Sequence, residues 1–404
     1  MTTLASVTRR SLARNVVVAL VAGLAMALLM STAPTRTVPA SQRLLDYTPV
    51  TGAVFNRPIG TVAEQRAIFS HVNKTIDATP PGATIRFAVY SFAEKATATR
   101  LINAYKRGVN VQLIFNAHQV YEQEKRLQSA LGKNRNRRSF AIFCEGSCRG
   151  VKGQMHQKVF LFSKAGAAEN VVMVGSNNMT RNNAVNQWSD IYTVANDPAL
   201  YFTYSGVFEQ MKADQPQTRP FISADVNGYE PEFYPYPRVA MANDPLYQAL
   251  SSITCLGAAE GYGVETTTDA DGDGALDRAT VLRIAQHAWN GDRGIYLAQK
   301  VAELKRGGCD VKVIYGVGIG RVVKNTLLRA EVPITNGRTN KKTHQKTFFV
   351  SGVFEGNPAS ALVWNGSHNW SDGALRRDDV VFRVESLDAF NAYFENFEDI
   401  WANG

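Results

Sequence analysis

Residues 154–163 read Gln-Met-His-Gln-Lys-Val-Phe-Leu-Phe-Ser, and residues 171–178 read Val-Val-Met-Val-Gly-Ser-Asn-Asn. The same succession returns at 343–351 as Thr-His-Gln-Lys-Thr-Phe-Phe-Val-Ser and at 361–369 as Ala-Leu-Val-Trp-Asn-Gly-Ser-His-Asn. A lone His-x-Lys carries little information. Two copies, each followed by an apolar strand and a Gly-Ser-x-Asn turn, point to a duplicated unit.

Working outward, Ala83–Phe92 has the pattern of a buried strand, and Glu94–Lys106 has helical apolar spacing through Ala98, Leu101, Ile102 and Tyr105. Arg107-Gly108 stops that helix, and Val109–Phe115 is strand-like again. The order repeats as Arg278–Trp289, Gly294–Leu304, Arg306-Gly307-Gly308 and Cys309–Tyr315. Strand, helix, strand implies a right-handed crossover. The expected fold is therefore α/β, with two similar lobes of mixed, mainly parallel sheets flanked by helices. The lobes are expected at 41–214 and 239–404. Residues 215–238, rich in proline and tyrosine without clear periodicity, are expected to be a linker whose aromatics are also suited to touching a lipid surface.

The 404 residues are 45% apolar and 20% charged, which excludes a disordered, fibrous or polytopic membrane chain. Arg9, Arg10 and Arg14 precede the apolar run Val16–Met30, too short to span a bilayer comfortably, and small residues follow. Residues 1–40 are expected to be a cleaved secretory signal and the mature protein to be extracellular. Setting aside Arg9, Arg10, Arg14 and Arg36 takes the net charge from +9 to +5, a surplus that suits an anionic substrate without demanding one. In an oxidising compartment the four cysteines imply two disulfides, most simply Cys144 with Cys148 and Cys255 with Cys309.

Alternate residues of a strand share a face, so His156 and Lys158 point the same way, as do Ser176 and Asn178. His344, Lys346, Ser367 and Asn369 repeat the set. An imidazole, an ammonium, a hydroxyl and an amide from each half suit a phosphodiester. Lysines and amides hold non-bridging oxygens, one imidazole attacks phosphorus, and the other protonates the leaving oxygen. An attacking imidazole needs a partner to fix its tautomer. Asp190 and Asp379, which follow the two Gly-Ser-x-Asn turns at similar distance, are the candidates, with Asp378 competing with Asp379.

With these motifs the chain resembles the phospholipase D superfamily over roughly residues 45–404. The resemblance implies two pseudo-twofold-related lobes sharing one site, a phosphohistidine intermediate resolved by water or an alcohol, and no catalytic cofactor or metal. It implies His156 as nucleophile and His344 as general acid. Phospholipid is the implied substrate, with peripheral contact to a membrane surface, nucleic acid is the alternative substrate, and a monomer is expected. One departure stands out: where the family motif has Asp, this chain has Ser163 and Ser351. Seven residues from its histidine, each serine falls on the opposite strand face, which fits a supporting role. The intervals of 19 residues from His156 to Gly175 and 22 from His344 to Gly366 are longer than usual and imply longer hairpins.

Asp269, Asp271 and Asp273, with Gly274 and Asp277, resemble the front of a calcium loop, although its twelfth position is Thr280. A structural Ca²⁺ site and a plain Asp/Gly turn both fit. His71, His118 and His287 lie outside the repeated set and read as packing or surface histidines, while His368 reads as substrate-proximal at most. Trp188, Trp364 and Trp370 flank the motifs, where core packing is the default and a pocket lining the alternative. The basic run Lys133–Arg138 reads as a solvated loop.

Overall fold

The computed structural model of the chain describes residues 47–267, 269 and 276–404. The expected signal segment lies outside them. Among the described residues no helix is long and apolar enough to cross a membrane.

The first sheet comprises β1 (Gly52–Phe55), β2 (Thr84–Val89), β3 (Asn110–Asn116), β4 (Phe140–Cys144), β5 (Lys158–Ala165), β6 (Ala168–Gly175) and β7 (Asp190–Val194). Its order is β1-β7-β6-β5-β2-β3-β4. Helices α1 (Ala67–Asp77), α2 (Lys95–Lys106), α3 (Glu122–Leu131) and α4 (Pro198–Ala213) accompany it. Glu94 caps α2 by accepting from the amide of Ala96, and Asp197 caps α4 by accepting from that of Leu200.

The second sheet comprises β8 (Tyr229–Phe233), β9 (Val281–Trp289), β10 (Asp310–Ile319), β11 (Lys346–Phe354), β12 (Asn357–Gly366) and β13 (Val380–Glu385), with α5 (Gly291–Arg306), α6 (Arg321–Arg329) and α7 (Leu387–Asn403). From the two-residue strand Ile334–Thr335 its order runs β10-β9-β11-β12-β13-β8 and ends at Ile222–Ser223. Strand for strand this repeats the first sheet: β9 and β10 stand for β2 and β3, β11 and β12 for β5 and β6, β13 for β7, and β8 for β1.

Two expectations are corrected. The sheets are mixed, but antiparallel pairs are in the majority. Within these two sheets, parallel pairing among the described residues is confined to β2-β3-β4 and to β9-β10 with its edge strand. The reason is connection length: β5 to β6 and β11 to β12 are joined by two residues each, enough for a hairpin and far too few for a crossover. Residues 215–238 are also not a free linker. Tyr229–Phe233 pairs with Val380–Val384 as the counterpart of β1, so the second sheet begins inside that segment. Proline and tyrosine had masked the strand, which sits near the sheet edge where missing amides are tolerated.

The apolar run of β5 is buried on both faces, as its unbroken hydrophobicity requires. Phe160 and Phe162 join β2, α1 and α2 in an outer core. Val159 and Leu161 face inward, where α4 and α7 complete a central core shared with Phe349, Val363 and Phe382 of the second sheet. α5 and α6 cover the far side. Both disulfides pair as expected, Cys144 with Cys148 and Cys255 with Cys309.

Candidate active site

Each motif histidine stands just before an inner strand, where its backbone is tied across the lobes. The His156 amide donates to the Asp378 carbonyl at 2.9 Å, and the His344 amide donates to the Trp188 carbonyl at 2.8 Å. Lys342–Thr343 pairs in parallel with Gln187–Trp188, and Met155 bridges to Asp378. Two short reciprocal ladders thus bring one histidine from each lobe to the junction. The Gly-Ser turns are shaped by the same close approach. A Cβ on Gly175 would meet the Asp190 carbonyl at 2.2 Å, and one on Gly366, whose φ is +138°, would meet that of Val380 at 2.2 Å. The serines then hold the aspartates: Ser176 Oγ donates to Asp190 Oδ1 and Ser367 Oγ to Asp379 Oδ1, both at 2.5 Å.

The two aspartates differ in what else they hold. Asp379 Oδ1 also accepts from His156 Nδ1 at 2.7 Å, across the lobe junction. Asp190 was expected to do the same for His344, and it does not. Its Oδ2 is occupied by Tyr393 and by Asn365 of the other lobe, at 2.8 and 3.2 Å. His344 Nδ1 instead faces the Ser176 carbonyl at 2.9 Å. Asp190 therefore supports His344 at one remove, through Ser176. Asp378, the competitor, holds the Ser147 hydroxyl and the Cys148 and Arg149 amides.

Lys158 Nζ donates to the His156 carbonyl, lies 5.1 Å from the Tyr90 ring centroid, and is fully buried. Lys346 Nζ donates to the His344 carbonyl and lies 3.0 and 3.2 Å from the two nitrogens of that ring. Asn178 and Asn369 are buried with no partner for Oδ1 among the described residues.

Burial dominates the electrostatics. It holds His156 down to about 3 with help from Lys158 and against Asp379, and holds Lys158 down to about 7. His344 and Lys346 are pushed well below their ordinary values, chiefly by burial, with Lys346 adding to it for the ring and Lys158 for the amine. Burial alone would raise Asp379, but His156, His368 and Lys158 outweigh it and keep the carboxyl well below the usual carboxylate range. Asp190, where burial prevails over its hydrogen bonds, is raised. His156 also lowers His344 across the junction, so both rings share one field, and Arg377 acts on His156 and both lysines. This cluster of bases, discharged in part by their own crowding, is arranged for a bound anion.

Residues 74–212 match the family model described as Cardiolipin synthase, PLD-like domain. Over those residues the chain is similar to the phospholipase D superfamily. Members of this superfamily mostly act on phosphodiesters and need no cofactor for catalysis. The phospholipase D-like fold is shared with phosphatidylserine synthase from Haemophilus influenzae, at 12% identity over 89% of each chain and a TM-score of 0.51. A polyphosphate kinase from Porphyromonas gingivalis matches at 10% identity and a TM-score of 0.52, covering 87% of this chain, which spans half the length of that kinase. Nuc from Salmonella typhimurium, a phospholipase D family member, matches at 17% identity over 41% of this chain and 94% of its own, with a TM-score of 0.31. No curated protein matches the chain.

Sequence reasoning missed His287. It stands at the place in β9 that Tyr90 takes just after β2: the Tyr90 amide donates to the Gln157 carbonyl and the His287 amide to that of Gln345. Their rings lie 4.7 Å from His156 and 4.4 Å from His344 respectively. Aligning the two half-chains on the strands before each motif would have found it. His368 is buried with its ring tilted against Tyr234 at 3.9 Å, and its Nε2 accepts from Arg293 at 2.9 Å. His71 is a core residue held by Tyr47 and Thr193, and His118 is exposed. Trp188, Trp364 and Trp370 are buried packing residues.

The two motif serines do hold backbone: Ser163 Oγ accepts from the Thr84 amide at 2.8 Å and Ser351 Oγ from that of Gly263 at 3.1 Å. Of the expected calcium ligands, Asp271 and Asp273 lie outside the described residues. Asp269 and Asp277 flank them beyond the small ladder of Val264–Glu265 with Arg278–Ala279.

Proposed function

We propose that this protein is an exported phosphodiesterase that hydrolyses or exchanges phospholipid headgroups through a phosphohistidine on His156. The observation that carries the reading is the His156–Asp379 hydrogen bond. A carboxylate only accepts, so Nδ1 of His156 carries the proton and Nε2 keeps a free lone pair. Nε2 attacks phosphorus, and the bond to the leaving headgroup oxygen breaks as His344 Nε2 gives that oxygen its proton. Neutral His344 then takes a proton from water or an alcohol, which attacks the phosphohistidine and returns His156 as leaving group. Lys158, Lys346 and the amides of Asn178 and Asn369 are the groups to hold the non-bridging oxygens. The diester's negative charge offsets the crowding of bases that disfavours imidazolium in the empty site, so His344 becomes an acid when substrate is bound.

Export is supported by Arg9, Arg10 and Arg14 before Val16–Met30, and by two disulfides. A lipid rather than a nucleic acid is supported by the modest charge of the chain beyond residue 40, and by Val317 near the end of β10 and Val322 at the start of α6, 72% and 51% exposed. The test is a substrate panel in chelator, phosphatidylcholine vesicles releasing choline against DNA releasing acid-soluble fragments. Mass spectrometry of an acid-labile phosphoryl adduct accompanies it. Choline release with the adduct on His156 is expected; DNA cleavage alone would replace the phospholipid by a nucleic acid.

A further inference from the structure

An open groove of about 790 Å³ lies between residues 150–152, 217–221, 235–238 and Arg376. It is built rather than incidental. Arg149 is fully buried, and its guanidinium donates to the carbonyls of Pro220 and Tyr234, one on each wall. Its backbone carbonyl accepts from the Gln217 amide, and its own amide donates to Asp378. The Tyr236 amide donates to the Leu375 carbonyl. Four consecutive residues thereby link groove and site: Arg376 lines the groove, Arg377 acts on His156 and both lysines, Asp378 fixes Arg149, and Asp379 holds His156.

The lining has two components. Lys152, Arg219, Arg238 and Arg376 are exposed cations, and among the described residues no carboxylate lines the groove. Between them are prolines, Val151 at 85% exposure, and Phe221 stacked on Tyr236 at 4.3 Å. Phe221 spends one face on Tyr236 and meets Tyr234 edge-on at 5.2 Å. That arrangement withholds the ring from a nucleobase, which binds such grooves by stacking. Aliphatic and proline surface ringed by cations suits a molecule that is anionic and apolar at once.

We infer that this groove seats an anionic phospholipid of a membrane surface, its phosphate among the four cations and its glycerol and upper acyl carbons against Val151, Tyr236 and the prolines. The inference rests on the phospholipid reading of the site and adds that the enzyme docks on negatively charged lipid before a substrate reaches His156.

The test uses the full chain carrying His156→Ala, so that lipid is bound and not consumed, in sedimentation with phosphatidylglycerol or phosphatidylcholine vesicles. Binding to phosphatidylglycerol is expected to exceed binding to phosphatidylcholine. The added pair Arg219→Glu and Arg238→Glu should weaken it at least about tenfold, and added salt should weaken it as well. Val151→Asp, on an exposed side chain, should weaken it separately, with melting curves reporting that each variant is folded. Equal vesicle binding by parent and variants, or none by the parent, overturns the inference. So does loss of single-stranded DNA binding in the variants where no vesicle binding exists. Turnover of a monomeric short-chain phospholipid by the wild type is measured alongside. Turnover without groove-dependent docking overturns the groove alone. Groove-dependent docking without turnover of any phospholipid supports the groove and overturns the proposed activity.

Discussion

His156 Nδ1 lies 2.7 Å from Asp379 Oδ1, a carboxylate 223 residues later and in the other lobe. On the proposed mechanism the nucleophile of the first lobe is therefore aimed by a carboxylate of the second. Asp379→Asn keeps the size of the side chain but lets the amide favour the wrong imidazole tautomer. Turnover should fall by about 10³- to 10⁴-fold, with the melting curve little changed. Near-normal turnover on a soluble diester would remove Asp379 from the mechanism.

The pH profile follows from the same pair. Attack needs His156 neutral, and it remains so down to about 3, so the acid limb should lie well below an ordinary imidazole value of 6.5. His344 must be protonated, and burial together with Lys346 holds it well below 6.5, so kcat/KM, which reports the free enzyme, should already decline below neutrality, and loss of charge on Lys158 above about 7 should steepen the fall. Asp379 raises Lys158, so Asp379→Asn should move the alkaline limb to lower pH. A flat profile from mild acid to alkali, or a shift toward higher pH in the variant, would contradict this assignment.

An empty site crowded with bases should gain from an anion. Vanadate or phosphate at about a hundred times its Kd should add about 2.7 kcal/mol to stability, raising Tm by several degrees. Lys346→Ala should largely abolish that increment in calorimetry. An equal increment in the variant would place the anion elsewhere.

Ser163 Oγ accepts from the Thr84 amide, at a half-buried position. Ser163→Ala should cost about 1 kcal/mol in denaturant unfolding and leave turnover within about twofold. A collapse of activity at unchanged stability would mean that the serine takes part in chemistry.

Asp244 and Arg293 form a bidentate pair, 0% and 1% exposed, and Arg293 in turn donates to His368 inside the second Gly-Ser-x-Asn turn. Asp244→Ala leaves a buried guanidinium without its counter-charge and should cost about 3–5 kcal/mol. The double change Asp244→Ala with Arg293→Met should recover part of that loss. Equal losses in the single and double variants would show that the pair matters only through packing.

The duplicated His-x-Lys and Gly-Ser-x-Asn segments, the strands that carry them and the α/β class were all legible along the chain, because each depends on local spacing or on one apolar period, and the cysteine pairing was legible because each half holds two cysteines. The strand at Tyr229–Phe233 was not, since its proline suppresses the local signal and only pairing with β13 makes it a strand. His287 was not either, because its nearness to His344 comes from two strands meeting side by side, 57 residues apart in sequence. The sequence by itself determined which chemical groups are duplicated, an imidazole, an ammonium, a hydroxyl and an amide in each half. Only the tertiary structure decided that the two sets are not equivalent, with Asp379 facing an imidazole and Asp190 facing Tyr393 and Asn365. A carboxylate's partner is whatever donor the opposite lobe places within about 3 Å, and that placement is set by packing across the junction rather than by residue order.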